Sequence, residues 1–124
     1  MKENVVKNKS FNFAVRIVNL YKFLTEQKKE FVMSKQLLRS GTSVGANIRE
    51  ADNAQSKPDF IHKLSIAQKE CDETIYWLEL LKVTNYITEI EFVSINSDAE
   101  EILKLIKRII ISSKEKTKER MRNE

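Results

Sequence analysis

The sequence is poor in residues that interrupt helices: its 124 residues include two glycines and one proline. Sheet proteins draw on more turn residues than this, and no strand pattern competes with helix. One cysteine, Cys71, rules out an intramolecular disulfide and gives no sign of an oxidising compartment. The longest purely aliphatic run, Ile109-Ile110-Ile111, is far short of the roughly 20 residues a membrane span needs. The opening MKENVVKNKSFNF has no apolar segment followed by a small-residue cleavage site, so no signal peptide is expected. The expectation is a soluble cytoplasmic protein without a membrane partner.

What is present is helix-building material, 41% hydrophobic and 32% charged. A chain of this length forms one domain, residues 1–124, and buries a core without disulfides or metals. The formal charge is +4 with a pI near 9.2. That mild excess fits ordinary solubilising charge and a nucleic-acid-facing surface equally well.

Hydrophobic periodicity places four amphipathic helices, at about 10–27, 35–54, 57–84 and 89–117, with a charged C-terminal tail. Residues 1–9 are polar and read as frayed, with Ser10 as the first N-cap. Phe13, Ile17, Leu20, Tyr21 and Leu24 make the first stripe, and Lys28-Lys29 suit its C-terminus. Ser34 is the expected cap of the second helix, whose stripe is Leu37, Gly41, Val44, Ile48 and Ala51. Ser56, Pro58 and Asp59 form an N-terminal signal with capping-box spacing for the third. That helix carries Phe60, Leu64, Ala67, Cys71, Ile75, Leu78 and Leu81, and ends near Asn85. Ile61, Tyr76, Trp77 and Leu80 widen its apolar surface, which suggests burial on more than one side, as in a subunit interface. Thr88 and Glu91 offer a second capping box before Phe92, Ile95, Ala99, Ile102, Leu103, Ile106, Ile109 and Ile110. Asn96-Ser97-Asp98 are poor helix formers within this segment and leave room for a break. Short connections between four such helices give an all-α, antiparallel up-down-up-down four-helix bundle.

Both glycines lie in one stretch, QLLRSGTSVGANIREA from Gln36 to Ala51. Glycine inside a helix costs about 1 kcal/mol against alanine, so Gly41 and Gly45 imply close approach of a neighbouring helix. This stretch reads as a packing seam. Arg39, Asn47, Arg49 and Glu50 lie on the same helix, and Glu70 and Glu73 lie midway along the third. Charge pairs such as Arg39 or Arg49 with Glu70 or Glu73 would make inward placement tolerable; the alternative is simple surface charge.

The chemical candidates are thin. Asp59 and His62 have an acid-x-x-His spacing, but a dimetal carboxylate bundle needs a second such motif and hence a second histidine. Cys71 sits on an apolar stripe and reads as a small buried hydrophobe. Ser40, Thr42 and Ser43 have no accompanying general base, and the two glycines lack the strand-turn-helix setting of a phosphate loop. No catalytic, cofactor-binding or metal-binding residue is expected, and no enzyme. For nucleic acid the candidates are Lys104, Lys107 and Arg108, then Lys114, Lys116, Lys118, Arg120 and Arg122. The tail from Ser112 has a net charge of +2 with interleaved acids, which also fits a solvated helix end. No aromatic is interleaved for base stacking, so binding there would be to phosphates and sensitive to salt.

The stretches SKQLLRSGTSVGANIREA, SKPDFIHKLSIAQKECDETIYWLELL and FNFAVRIVNLYKFL resemble the four-helix-bundle proteins named after the intervening sequences of bacterial 23S ribosomal RNA genes. The resemblance covers most of the chain and is least distinctive in the fourth helix and tail. It implies a homopentamer of small bundles and supplies no catalytic residues. Many members lie outside ribosomal RNA genes, so the name does not imply ribosome association. The family is similar in fold to the basic accessory proteins of diversity-generating retroelements, which bind nucleic acid and a reverse transcriptase. Two readings follow: a non-enzymatic oligomer binding RNA or DNA, or a scaffold docking a protein partner such as a reverse transcriptase-like enzyme.

Overall fold

The computed structural model describes residues 2–123, with side chains from Val5 onward. Met1 and Glu124, the two ends of the expected domain, lie outside the described residues. The chain forms α1 (Lys2–Glu26), α2 (Met33–Asp52), α3 (Lys57–Val83) and α4 (Glu89–Arg122). Each helix packs on its sequence neighbours, α1 closes against α4, and the diagonal pairs do not approach among the described residues. The result is a square four-helix bundle.

The register of side-chain contacts fixes the direction of each pair. Along α1, Lys7, Ser10 and Ile17 meet Asp52, Gly45 and Gly41 of α2 in descending order. Arg39 of α2 meets Glu70 and Glu73 of α3, while Glu50 meets Lys63. Cys71 and Lys82 of α3 face Ala99 and Glu89 of α4, and Lys9 and Arg16 of α1 face Glu101 and Asp98. All four adjacent pairs run antiparallel. The buried stripes of α3 and α4 follow the helical period read from the sequence, with Thr74 and Ser113 added to them and Phe60, expected at the head of the α3 stripe, only partly buried.

Several expected boundaries move. α1 starts at Lys2, because Val6 and Ser10 extend the Phe13–Ile17 stripe at the same spacing and are each 1% exposed. Ser10 is therefore inside the helix and caps nothing; its hydroxyl donates to the Lys7 carbonyl at 3.0 Å. The helix ends at Glu26 with no base in its last turn, and Lys29 takes a left-handed φ of 55° in the connection. Ser34 is also not a cap. Val32 holds that position without a side-chain bond, and the carboxylate of Glu30 accepts the N–H groups of Val32, Met33 and Ser34 at 2.8–3.1 Å. A carboxylate near a helix N-terminus satisfies orphan donors and the helix dipole together. Burial pushes the Glu30 carboxyl up, but these backbone bonds outweigh it and hold the group below the usual glutamate value.

Ser56 caps α3 as its sequence suggests, accepting the Asp59 N–H at 3.2 Å. At the other end Thr84 is the C-cap, and Asn85 follows with φ 68°. The Thr88–Glu91 capping box is complete. Asn96-Ser97-Asp98 do not break α4, which continues to Arg122. The Ser97 hydroxyl bonds the Val93 carbonyl and Asp98 pairs with Arg16 at 2.7 Å.

Candidate nucleic-acid interface

α4 is divided by charge. Between Glu89 and Glu101 it holds five carboxylates and no base; between Lys104 and Arg122 it holds eight bases and two carboxylates. Each half agrees with the helix dipole, negative toward the N-terminus and positive toward the C-terminus.

The acidic half is tied to the rest of the bundle. Glu89 pairs with Lys82 at 3.5 Å, Asp98 with Arg16 at 2.7 Å and Glu101 with Lys9 at 2.9 Å, while Glu91 closes the capping box. The basic half is not tied in this way. Lys104, Lys107, Arg108, Lys114, Lys116, Lys118, Arg120 and Arg122 are all exposed, and none belongs to an ion pair among the described residues.

The eight bases fall into two groups. The first is Lys104, Lys107 and Arg108. Of these, Lys104 and Arg108 line a groove of about 600 Å³ between α1 and α4, together with Val5, Lys9, Asn96 and Glu100. Among the described residues the buried Oδ1 of Asn96 has no hydrogen-bond partner, a feature that sequence reasoning missed because it treated Asn96 only as a helix breaker. The other five bases stand on a helical overhang. Ile109 is level with Val6, Ala51 and Phe60, which line the same small cavity; these lie in the first two turns of α1, the last turn of α2 and the first turn of α3. Burial along α4 ends at Ser113. Lys114–Arg122 thus extends past the ends of the other three helices by about 13 Å.

The seam residues lie elsewhere. A Cβ built on Gly41 would come within 2.8 Å of Ile17, and one on Gly45 within 3.3 Å of the Ser10 carbonyl oxygen, so both glycines sit where α1 crosses α2 closely. Arg39 joins Glu70 at 3.1 Å and Glu73 in a pair on the half-exposed α2–α3 face. Glu73 also accepts the Trp77 indole N–H at 3.0 Å. That bond, then the one from Arg39, holds its carboxyl below the usual range. Asn47 bonds the Ser43 carbonyl, and Glu50 pairs with Lys63 at 3.0 Å. Arg49 pairs with neither Glu70 nor Glu73; its guanidinium lies 5.7 Å from the ring centre of Phe11.

His62 is exposed, and among the described residues no three metal-ligating side chains cluster. Cys71 is fully buried and donates to the Ala99 carbonyl at 3.3 Å. Burial, with the nearby charges of Asp72 and Glu100, pushes its thiol up to about 12. No helix among the described residues is long and apolar enough to cross a membrane. What the basic half of α4 offers is a dense set of exposed cations for a polyanion.

Comparison with known proteins places this chain in context. Residues 2–108 match the family described as 23S rRNA-intervening sequence protein. The chain is also similar to a protein of unknown function from the S23 ribosomal protein family of Bacteroides thetaiotaomicron, known from a crystal structure. The two are 68% identical, with 89% of this chain and 98% of that chain covered and a TM-score of 0.88. Comparison with curated proteins gives no match. The match over residues 2–108 spans most of the molecule, and the chain belongs to the 23S rRNA-intervening sequence protein family.

Proposed function

We propose that this protein is a non-enzymatic, cytoplasmic, oligomeric bundle that binds RNA or DNA through the basic C-terminal half of α4. The observation that carries the reading is the set of eight exposed bases between Lys104 and Arg122 with no internal ion pair among the described residues. Unpaired exposed cations on one element are the electrostatic footprint of a phosphate-binding surface. The oligomer, a pentamer by resemblance, is supported by the outer face of α3. Tyr76 is 56% exposed there and stacks edge-on against Trp77. Five copies would carry five times the +4 of one chain, which raises the attraction for phosphate. The test is binding of a structured RNA and a DNA duplex at about 50 and 200 mM salt. Binding that weakens steeply with salt supports the proposal; no binding at low salt, or affinity indifferent to salt, overturns it.

A second reading, a scaffold for a protein partner, is favoured by the opposite end of the bundle. Phe31, Val32, Val83 and Ile90 are 60–83% exposed, and all belong to or adjoin the α1–α2 and α3–α4 connections. A protein captured in nuclease-treated extract, and lost on Phe31→Ser/Val32→Ser substitution, would favour this reading.

A further inference from the structure

The overhang Lys114–Arg122 is patterned around its axis as well as along it. At about 100° per residue, Lys114, Lys118 and Arg122 occupy one flank, and Lys116 and Arg120 occupy another roughly 180° away. Thr117 and Met121 continue the core line of Ile106, Ile110 and Ser113 and lie between the two flanks. Glu115 and Glu119, the only carboxylates of the segment, lie on the side opposite Thr117 and Met121. The helix therefore has a neutral floor, two basic flanks and an acidic back, and its floor faces the space beyond the ends of α1, α2 and α3. The segment lies outside the residues that the family match covers.

From this pattern we infer that the overhang is a groove-inserting helix and that its ligand is duplex DNA, entered through the major groove. This rests on the nucleic-acid reading of α4 and narrows it. A helix about 10–12 Å across fits the B-form major groove, about 12 Å wide. Seated there, two opposed basic flanks reach the phosphates of both groove walls, the small floor meets the base edges, and the acidic back faces solvent. The A-form groove of duplex RNA is too narrow for such entry. A single strand calls for stacking platforms, and α4 has no aromatic beyond Phe92. A docked protein calls for an apolar stripe, and Met121 is the one large apolar side chain of the overhang.

The test uses the 124-residue chain with fluorescent duplex DNA of about 20 base pairs, duplex RNA and single-stranded DNA of one sequence, at fixed low salt. Duplex DNA should bind about tenfold or more tighter than the other two. Both Lys116→Gln/Arg120→Gln and Lys114→Gln/Lys118→Gln should weaken duplex DNA about tenfold, since each removes two phosphate-binding cations. Glu115→Gln/Glu119→Gln should change it by less than about twofold. Protection of guanine N7 from dimethyl sulfate should accompany binding. Equal affinity for all three nucleic acids overturns the groove inference and leaves the nucleic-acid reading standing. So does tightening by Glu115→Gln/Glu119→Gln as large as the weakening by the base variants. Absence of binding to every probe overturns both.

Discussion

The hydroxyls of Ser40 on α2 and Thr74 on α3 meet at 3.0 Å, with both residues fully buried. Thr74 Oγ1 also lies 2.8 Å from the Glu70 carbonyl, and Ser40 Oγ lies 3.4 Å from that of Leu37. Two hydroxyl protons thus serve a closed group of four oxygens inside the seam. Thr74→Val keeps the shape and leaves Ser40 one long bond, and should destabilise by about 1 kcal/mol. Removing both hydroxyls, with Ser40→Ala and Thr74→Val together, should cost less than the sum of the single changes. Urea unfolding of the three variants measures this, and strict additivity would show that the two hydroxyls are not coupled.

The glycines separate by what their missing side chains would strike. Gly41→Ala drives a methyl into the stem of buried Ile17 at 2.8 Å and should destabilise by about 1–3 kcal/mol. Adding Ile17→Val should recover part of that loss. Gly45→Ala meets the Ser10 carbonyl at 3.3 Å; the approach is tight but short of collision, and the helix gains about 1 kcal/mol of propensity. The net change there should stay within about 1 kcal/mol, whereas Gly45→Leu should damage folding or assembly by overpacking. Thermal melts that rank Gly45→Ala below Gly41→Ala would contradict this geometry.

Glu30 gives the α1–α2 connection a pH dependence. Its carboxyl is held below the ordinary value in the fold, so its contribution is present above the unfolded value of about 4.3. The contribution is lost as pH falls through the lowered folded value, because the protonated group no longer accepts three N–H bonds as an anion. Glu30→Gln should cost about 1–2 kcal/mol at neutral pH and much less below the folded value. Parallel urea titrations of the two proteins from pH 7 to 3, with a gap that does not shrink, would refute the assignment.

Cys71 should be silent to thiol reagents in the folded protein. Its sulfur is buried against Ala99 and its pKa is raised to about 12, so at pH 8 both access and thiolate are lacking. Labelling should follow unfolding in urea. Rapid labelling of native protein would place the cysteine at the surface.

Much of the bundle was legible from the 3.6-residue period. Leu37, Val44, Ile48 and Ala51, and Phe92 through Ile110, are buried along the stripes that spacing alone defines. The errors came where polar residues do core or capping work. Ser10 and Ser34 look like caps, yet buried Val6 carries α1 back past Ser10, and the Glu30 carboxylate takes the N–H groups at the start of α2 in place of Ser34. Glu30 caps from outside the helix, through loop geometry that no local motif encodes. Thr74 enters the core because a partner hydroxyl 34 residues away satisfies it. The charge division of α4 was visible in the letters, but summing the tail alone gave a modest +2 and hid the separation of acids from bases. The overhang itself needed the three-dimensional ends of α1, α2 and α3.

Nucleic-acid binding by α4 is tested most directly by its salt dependence, in the native protein and in a variant with Lys114, Lys116, Lys118, Arg120 and Arg122 replaced by glutamine. These side chains are exposed, so the circular dichroism and melting of the two proteins should agree. The slope of log K against log salt should become shallower by about 4.5 in the variant, near 0.9 for each phosphate no longer neutralised. Affinity at low salt should fall with it. Unchanged slope and affinity in the variant would contradict a phosphate-binding role for the overhang.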